Sequence, residues 1–142
     1  MPKVLAKKIV SATPKAAPKN AKQKILLVED DTFLAGMYVT KLSLEHFQVV
    51  LATDGRQGVK MAKEEKPDAV LLDIVLPKMD GFQVLSAIRK DPLTAKTPVI
   101  LLTNLGQKSD VDRGLALGAN DYLIKAHFLP SEVIAKLKKL IG

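Results

Sequence analysis

The chain has 142 residues, of which 47% are hydrophobic and 26% charged, with no cysteine and a formal net charge of +7. This length suits one domain with a proper core, and the lack of cysteine excludes disulfides and thiolate metal sites. No apolar run approaches the ~18 residues of a membrane span, and lysines interrupt the N-terminal apolar stretch. We therefore expect a cytoplasmic protein without a secretory signal.

The excess positive charge is confined to the N-terminus. Residues 1–24 hold all of the surplus lysines and no acid, whereas basic and acidic side chains are equal in number over residues 25–142. The Lys-, Ala- and Pro-rich segment 1–23 has no sustained hydrophobic period, which predicts a disordered tail followed by one domain over 24–142. Two interpretations of the tail stay open: a solvated segment without a partner, or weak binding to an anionic surface such as nucleic acid or lipid headgroups.

Strand and helix patterns alternate after the tail. The predicted strands are 25–28, 48–52, 69–73, 99–103 and 122–124, and the predicted helices cover about 32–46, 55–65, 82–90, 109–117 and 131–141. In the first helix an apolar stripe of roughly helical period is formed by Phe33, Leu34, Met37 and Leu44. Buried apolar strands that alternate with helices predict an α/β fold, an open doubly wound parallel sheet of five strands with helices on both faces.

Polar side chains follow four of the five strands where each strand ends. Glu29 and Asp30 follow the first strand, Asp73 ends the third, Thr103 ends the fourth and Lys125 follows the fifth. In open parallel sheets, ligands bind at the carboxyl ends of the strands. The sequence therefore predicts that these side chains form one site.

Clustered carboxylates repel one another unless a cation lies between them. Glu29, Asp30 and Asp73 are hard oxygen ligands of the kind that Mg²⁺ prefers. The alternative for Asp30 and Asp31 is that they only cap the first helix. Lys125 after a buried strand is costly without an anionic partner, and its alternative is a side chain that reaches out to solvent.

Together these residues indicate a phosphoryl-accepting site. Asp73 would be the nucleophile that forms an aspartyl phosphate. Mg²⁺ and Lys125 would neutralise charge on the transferring group, and the Thr103 hydroxyl would donate a hydrogen bond to a phosphoryl oxygen.

With the runs LPKMDG (76–81) and GANDYLIK (118–125) added, residues 24–142 resemble the receiver domain of two-component response regulators. The resemblance implies a flavodoxin-like sheet with strand order 2-1-3-4-5 and five helices. It also implies that Mg²⁺ is bound by the carboxylates and by the backbone carbonyl of Val75. The residues that match the family's functional positions are Glu29 and Asp30 (acidic pair), Asp73 (phospho-acceptor), Thr103 (switch hydroxyl), Tyr122 (aromatic switch) and Lys125 (phosphate-binding lysine).

The resemblance further implies the partners. A sensor histidine kinase or a histidine phosphotransfer protein of a phosphorelay would supply the phosphoryl group. Movement of Thr103 and Tyr122 would then remodel the face made by the fourth helix, fifth strand and fifth helix, which binds a downstream protein. Because the chain ends near the expected end of the last receiver helix, we expect a single-domain response regulator, either a monomer or a phosphorylation-dependent dimer. It would not be an enzyme beyond Mg²⁺-dependent self-phosphorylation and slow self-dephosphorylation.

The sequence departs from the family's pattern at three places. Ala126 follows Lys125, where the family often has a proline in a cis peptide, and Asn104 stands where the family usually has a smaller residue. Val75 and Leu105 flank the path that the hydrolytic water takes in the family, and neither can orient a water molecule. We therefore predict slow loss of the phosphoryl group.

Three other functions compete with this one. A Mg²⁺-dependent phosphatase with an aspartate nucleophile usually has a second acid two residues later, where this chain has Val75. A flavodoxin-like cofactor site needs a Gly-rich phosphate loop after the first strand, and the segment here is Glu29-Asp30-Asp31-Thr32. The alternative that remains is a receiver fold that serves as a phosphate-independent binding scaffold.

Overall fold

A computed structural model describes residues 22–142 of the chain. The predicted tail therefore lies outside the described residues except for its last two, Lys22 and Gln23. Gln23 is attached to the domain at both its backbone and its side chain. Its carbonyl accepts a hydrogen bond from the Gln48 amide at 2.9 Å, and its Nε2 donates to the Ile141 carbonyl at 3.2 Å.

Strands and helices alternate through residues 22–142, as predicted. The strands are β1 (Lys24–Val28), β2 (Gln48–Ala52), β3 (Ala69–Leu72), β4 (Val99–Thr103) and β5 (Asp121–Ile124). The helices are α1 (Thr32–Leu44), α2 (Gly55–Glu65), α3 (Gly81–Lys90), α4 (Lys108–Ala116) and α5 (Pro130–Ile141). One 3₁₀ turn, Lys125–His127, joins β5 to α5.

The five strands form one parallel sheet in the order β2-β1-β3-β4-β5, which confirms the predicted fold class. β3 and β4 are buried over their whole length, as expected for strands covered on both faces. The core on one face is formed with α2 and α3, and the core on the other face with α1 and α5. No helix within residues 22–142 is long and apolar enough to cross a membrane.

Aspartates fix the starts of three helices. Asp31 accepts hydrogen bonds from the Phe33 and Leu34 amides before α1, Asp54 accepts one from Gln57 before α2, and Asp80 forms a capping box with Gln83 before α3. Each cap satisfies backbone donors that a helix start leaves unpaired. Because each of these helices follows the carboxyl end of a strand, the caps lie at the edge of the sheet where the predicted site residues lie.

The apolar stripe predicted for α1 is wrong at Phe33 and Leu44, whereas Leu34 and Met37 are half-buried. The helix buries Ala35, Tyr38 and Leu42, whereas Phe33 is 79% and Leu44 is 71% exposed. Apolar residues surround this helix on several sides, so hydrophobic period alone does not select the face that packs. The sheet and α5 decide it, because they lie against the Ala35–Tyr38–Leu42 side.

Candidate functional site

The backbone of the sheet positions the acidic residues. Asp73 follows β3 directly, and its amide donates to the Val28 carbonyl of the neighbouring strand at 3.1 Å. Glu29 follows β1, and its amide donates to the Ala52 carbonyl at 3.0 Å. Each residue thus extends the strand pairing by one bond, and the two side chains emerge from adjacent strands at the same edge.

Lys125 joins these two carboxylates. Its Nζ lies 2.8 Å from Glu29 Oε1 and 3.0 Å from Asp73 Oδ2. The lysine side chain is only 14% exposed, and the two acids are buried. The structure therefore places Lys125 against anions and not in solvent, and the ammonium group compensates charge that burial would otherwise make costly.

Lys125 and Glu29 both have raised pKa values. Burial raises the pKa of the Glu29 carboxyl; the hydrogen bonds from Lys125 and from the Asp31 amide act in the opposite direction, and they do not cancel the shift. Burial by itself would lower the pKa of the Lys125 ammonium, but its hydrogen bonds to Glu29 and Asp73 outweigh burial and raise that pKa. Lys125 is therefore held in its charged form at the centre of the site.

The site offers carboxylate ligands to a metal ion. Glu29, Asp30 and Asp73 each have a carboxylate oxygen within 4.8 Å of those of the other two. Oxygen donors at such separations suit Mg²⁺, which keeps several waters and takes one or two carboxylates from the protein. Asp30 is exposed and lies in this cluster, whereas Asp31 caps α1, so the two neighbouring aspartates lie in different surroundings. The donor set fits the ion, and the Val75 carbonyl as a further ligand stays a prediction.

Asp73 is oriented by three donors. Its Oδ1 accepts from the Ile74 amide at 2.7 Å and from the Val75 amide at 3.4 Å, while Oδ2 faces Lys125. A carboxylate oxygen that is already anionic needs no general base to act as a nucleophile. The geometry thus suits Asp73 for attack on an electrophile that approaches from solvent.

The predicted switch residues meet at Leu105, which lies two residues after β4. Thr103 is fully buried, and its Oγ1 accepts a hydrogen bond from the Leu105 amide at 3.3 Å. The Tyr122 hydroxyl donates to the Leu105 carbonyl at 2.6 Å. The sequence predicts Leu105 only as an apolar neighbour of the site. It does not predict this backbone connection, because main-chain bonds of a loop leave no residue-type signal.

The loop after Lys125 has no cis peptide bond, and residues 22–142 contain none elsewhere. The segment Lys125–His127 forms the 3₁₀ turn instead. With Ala126 at the position where the family often has proline, Lys125 still reaches both carboxylates. The departure therefore does not remove the lysine from the site.

The sequence and the fold have clear relatives. A probable transcriptional regulator of Guillardia theta is 40% identical over 84% of this chain, and the chain spans only 46% of its length. A response regulator of Chloroflexus aurantiacus has a similar structure, with a TM-score of 0.78, 32% identity, and coverage of 84% of this chain and 98% of the other.

A third relative is the receiver domain of a sensor histidine kinase from Pseudomonas aeruginosa, which was solved with a magnesium ion coordinated in its active-site cleft. It has a TM-score of 0.74 and 34% identity, over 86% of this chain and 99% of the other. The family model for the response regulator receiver domain matches residues 25–138. With the parallel sheet and the strand-end cluster, this match shows that the chain belongs to the response regulator receiver domain family of two-component systems.

Proposed function

We propose that the chain accepts a phosphoryl group on Asp73 from the phosphohistidine of a sensor histidine kinase or a histidine phosphotransfer protein. The observation that carries the proposal is the position of Lys125, whose ammonium lies 3.0 Å from Asp73 Oδ2 inside a cluster of three carboxylates. A cation at this position lowers the repulsion that an incoming phosphoryl group would meet.

In the proposed reaction, an oxygen of the Asp73 carboxylate attacks phosphorus and forms a new P–O bond. The P–N bond to the donor histidine breaks, and its electron pair stays on the imidazole nitrogen. Lys125 Nζ then exchanges one carboxylate partner for a phosphoryl oxygen. A Mg²⁺ ion held by Glu29, Asp30, Asp73 and the Val75 carbonyl would supply further positive charge to the phosphoryl oxygens.

Phosphorylation of Asp73 would change the position of Thr103, and this movement would carry the change beyond the site. The Thr103 hydroxyl would turn to donate to a phosphoryl oxygen, and this movement would break the 3.3 Å hydrogen bond that Oγ1 accepts from the Leu105 amide. Because the Tyr122 hydroxyl donates a hydrogen bond to the Leu105 carbonyl, the loop after β4 and the tyrosine move together. The face formed by α4, β5 and α5 then changes shape, and we propose that it binds a downstream protein.

Acetyl phosphate tests the chemistry without a cognate kinase. The purified chain is incubated with the donor, with Mg²⁺ or with EDTA, and its intact mass is compared with that of an Asp73→Asn control. The expected result is a Mg²⁺-dependent gain of one phosphoryl group that is absent in the control. If neither acetyl phosphate nor a panel of histidine kinases modifies the chain, the phosphate-independent scaffold replaces the present proposal.

A further inference from the structure

The first turn of α2 contacts the loop that follows β3, although no residue of α2 belongs to the site. The Gly55 amide donates to the Pro77 carbonyl at 3.2 Å. A Cβ atom on Gly55 would lie inside van der Waals contact of the Met79 carbonyl oxygen and 2.7 Å from Met79 Cβ. Only glycine leaves room for this approach, so the start of α2 and the loop are in direct backbone contact.

The loop is strained at this point of contact. The Met79 amide donates to the Pro77 carbonyl at 2.8 Å, which closes a three-residue turn around Lys78. Lys78 has φ 70°, in the left-handed region that a lysine rarely adopts. The buried Asp54 lies beside the turn: its Oδ1 caps α2 through Gln57, and its Oδ2 lies 3.8 Å from Lys78 Nζ. A strained turn persists only where its surroundings hold it, and Asp54 and Gly55 provide these surroundings.

The same loop also orients Asp73, the proposed phospho-acceptor. The Gly81 amide at its far end donates to the Ile74 carbonyl at 2.8 Å. A Cβ atom on Gly81 would clash with the Asp73 carbonyl oxygen, so this end of the loop also lies in backbone contact with the site. Asp73 Oδ1 in turn depends on the Ile74 and Val75 amides for its orientation. A displacement of the turn at Lys78 would therefore move the donors that aim Asp73 and the Val75 carbonyl beside them.

From these contacts we infer that Asp54 and Gly55 are positioning residues for the metal site, which act on Asp73 and Val75 through the loop 74–80 and touch neither the metal nor the phosphoryl group. The inference rests on the proposed function, since it takes Mg²⁺ as the ion and the Val75 carbonyl as a ligand.

The test is a Mg²⁺ titration of the ¹⁵N-labelled full chain without any phosphodonor, followed through the backbone amide signals of Asp30 and Val75. We expect Gly55→Ala to weaken Mg²⁺ binding about tenfold, the lower end of the effect of removing a group that orients a metal ligand. Gly36→Ala is the matched control, because a Cβ atom on Gly36 in α1 meets nothing within 4 Å. The control should bind Mg²⁺ as the wild type does. Thermal unfolding of each variant establishes that it is folded at the titration temperature.

A second variant covers the case in which Gly55→Ala does not fold. Asp54→Ala removes the cap and the charge beside Lys78 without a clash, and we expect a smaller loss of affinity in the same direction. Wild-type affinity in a folded Gly55→Ala or Asp54→Ala protein would overturn the inference. A wild type that binds no Mg²⁺ would instead overturn the proposed metal chemistry, so the two failures are distinguishable.

Discussion

Replacement of Lys125 by methionine should destabilise the domain strongly when no divalent cation is present. Methionine is one atom shorter and keeps most of the apolar part of the side chain, but it leaves Glu29 and Asp73 buried without their common partner, which lies at 2.8 and 3.0 Å. Loss of one member of a buried ion pair costs about 3–5 kcal/mol. The Lys125 side chain is 14% exposed, so we expect the lower value, about 3 kcal/mol. For a domain of this size the loss lowers Tm by about 10 °C.

The effect should depend on Mg²⁺ and on pH. Mg²⁺ among the same carboxylates replaces the missing charge, so it should raise the Tm of K125M more than that of the wild type. The pKa of Glu29 is already raised by burial, and K125M also removes a hydrogen bond that lowers it. A carboxyl whose pKa is raised on folding stabilises the fold at low pH and loses that contribution as the pH rises through the folded-state pKa. The deficit of K125M should therefore shrink on acidification through the pKa of Glu29.

Thermal unfolding by circular dichroism at pH 7.5, with EDTA or with Mg²⁺, measures both effects. K138M is the matched control, because Lys138 pairs with Glu45 at the surface, where both side chains are about half exposed. Its Tm should stay close to that of the wild type under all conditions. Equal Tm values for K125M and the wild type in EDTA would refute the argument that Lys125 compensates buried charge.

Val75→Asn should speed loss of the phosphoryl group from Asp73 by up to about tenfold, the equivalent of one added hydrogen bond to the attacking water. The decay of the phosphorylated mass after removal of the donor measures it, and an unchanged rate would count against the role of Val75. Arg89→Met should lower the free energy of unfolding by about 2 kcal/mol, because the guanidinium donates to three backbone carbonyls that would lose their partner. Urea denaturation, with the exposed Lys90→Met as control, tests this, and equal midpoints would refute it. Lys78→Gly should instead stabilise the folded state by about 1 kcal/mol in the same assay, since glycine adopts φ 70° without strain; a destabilised variant would show that the turn is not strained.

Much of the fold is determined by the sequence because the signals are local. The runs 48–52 and 99–103 are strands with the predicted boundaries. The run 99–103 is buried over its whole length, as expected for a strand covered on both faces, whereas 48–52 is only partly buried because β2 lies at the edge of the sheet. Proline and capping residues then separate strands from helices. Once the strands are parallel, their carboxyl ends must share one edge, which brings Asp73 and Lys125 together from positions 52 residues apart.

Other features depend on contacts between residues that are far apart in the chain. The buried face of α1 is decided by the sheet and α5, so Tyr38 is buried and Phe33 is exposed, against the order that hydrophobicity suggests. The bonds from Thr103 and Tyr122 to Leu105 use main-chain atoms, which every residue has. Gly55 is needed because a Cβ atom there would clash with the Met79 backbone, and this clash exists only in the folded chain. Residue type and spacing identify the groups that can do chemistry, but only packing of distant segments decides which backbone atoms hold them in place.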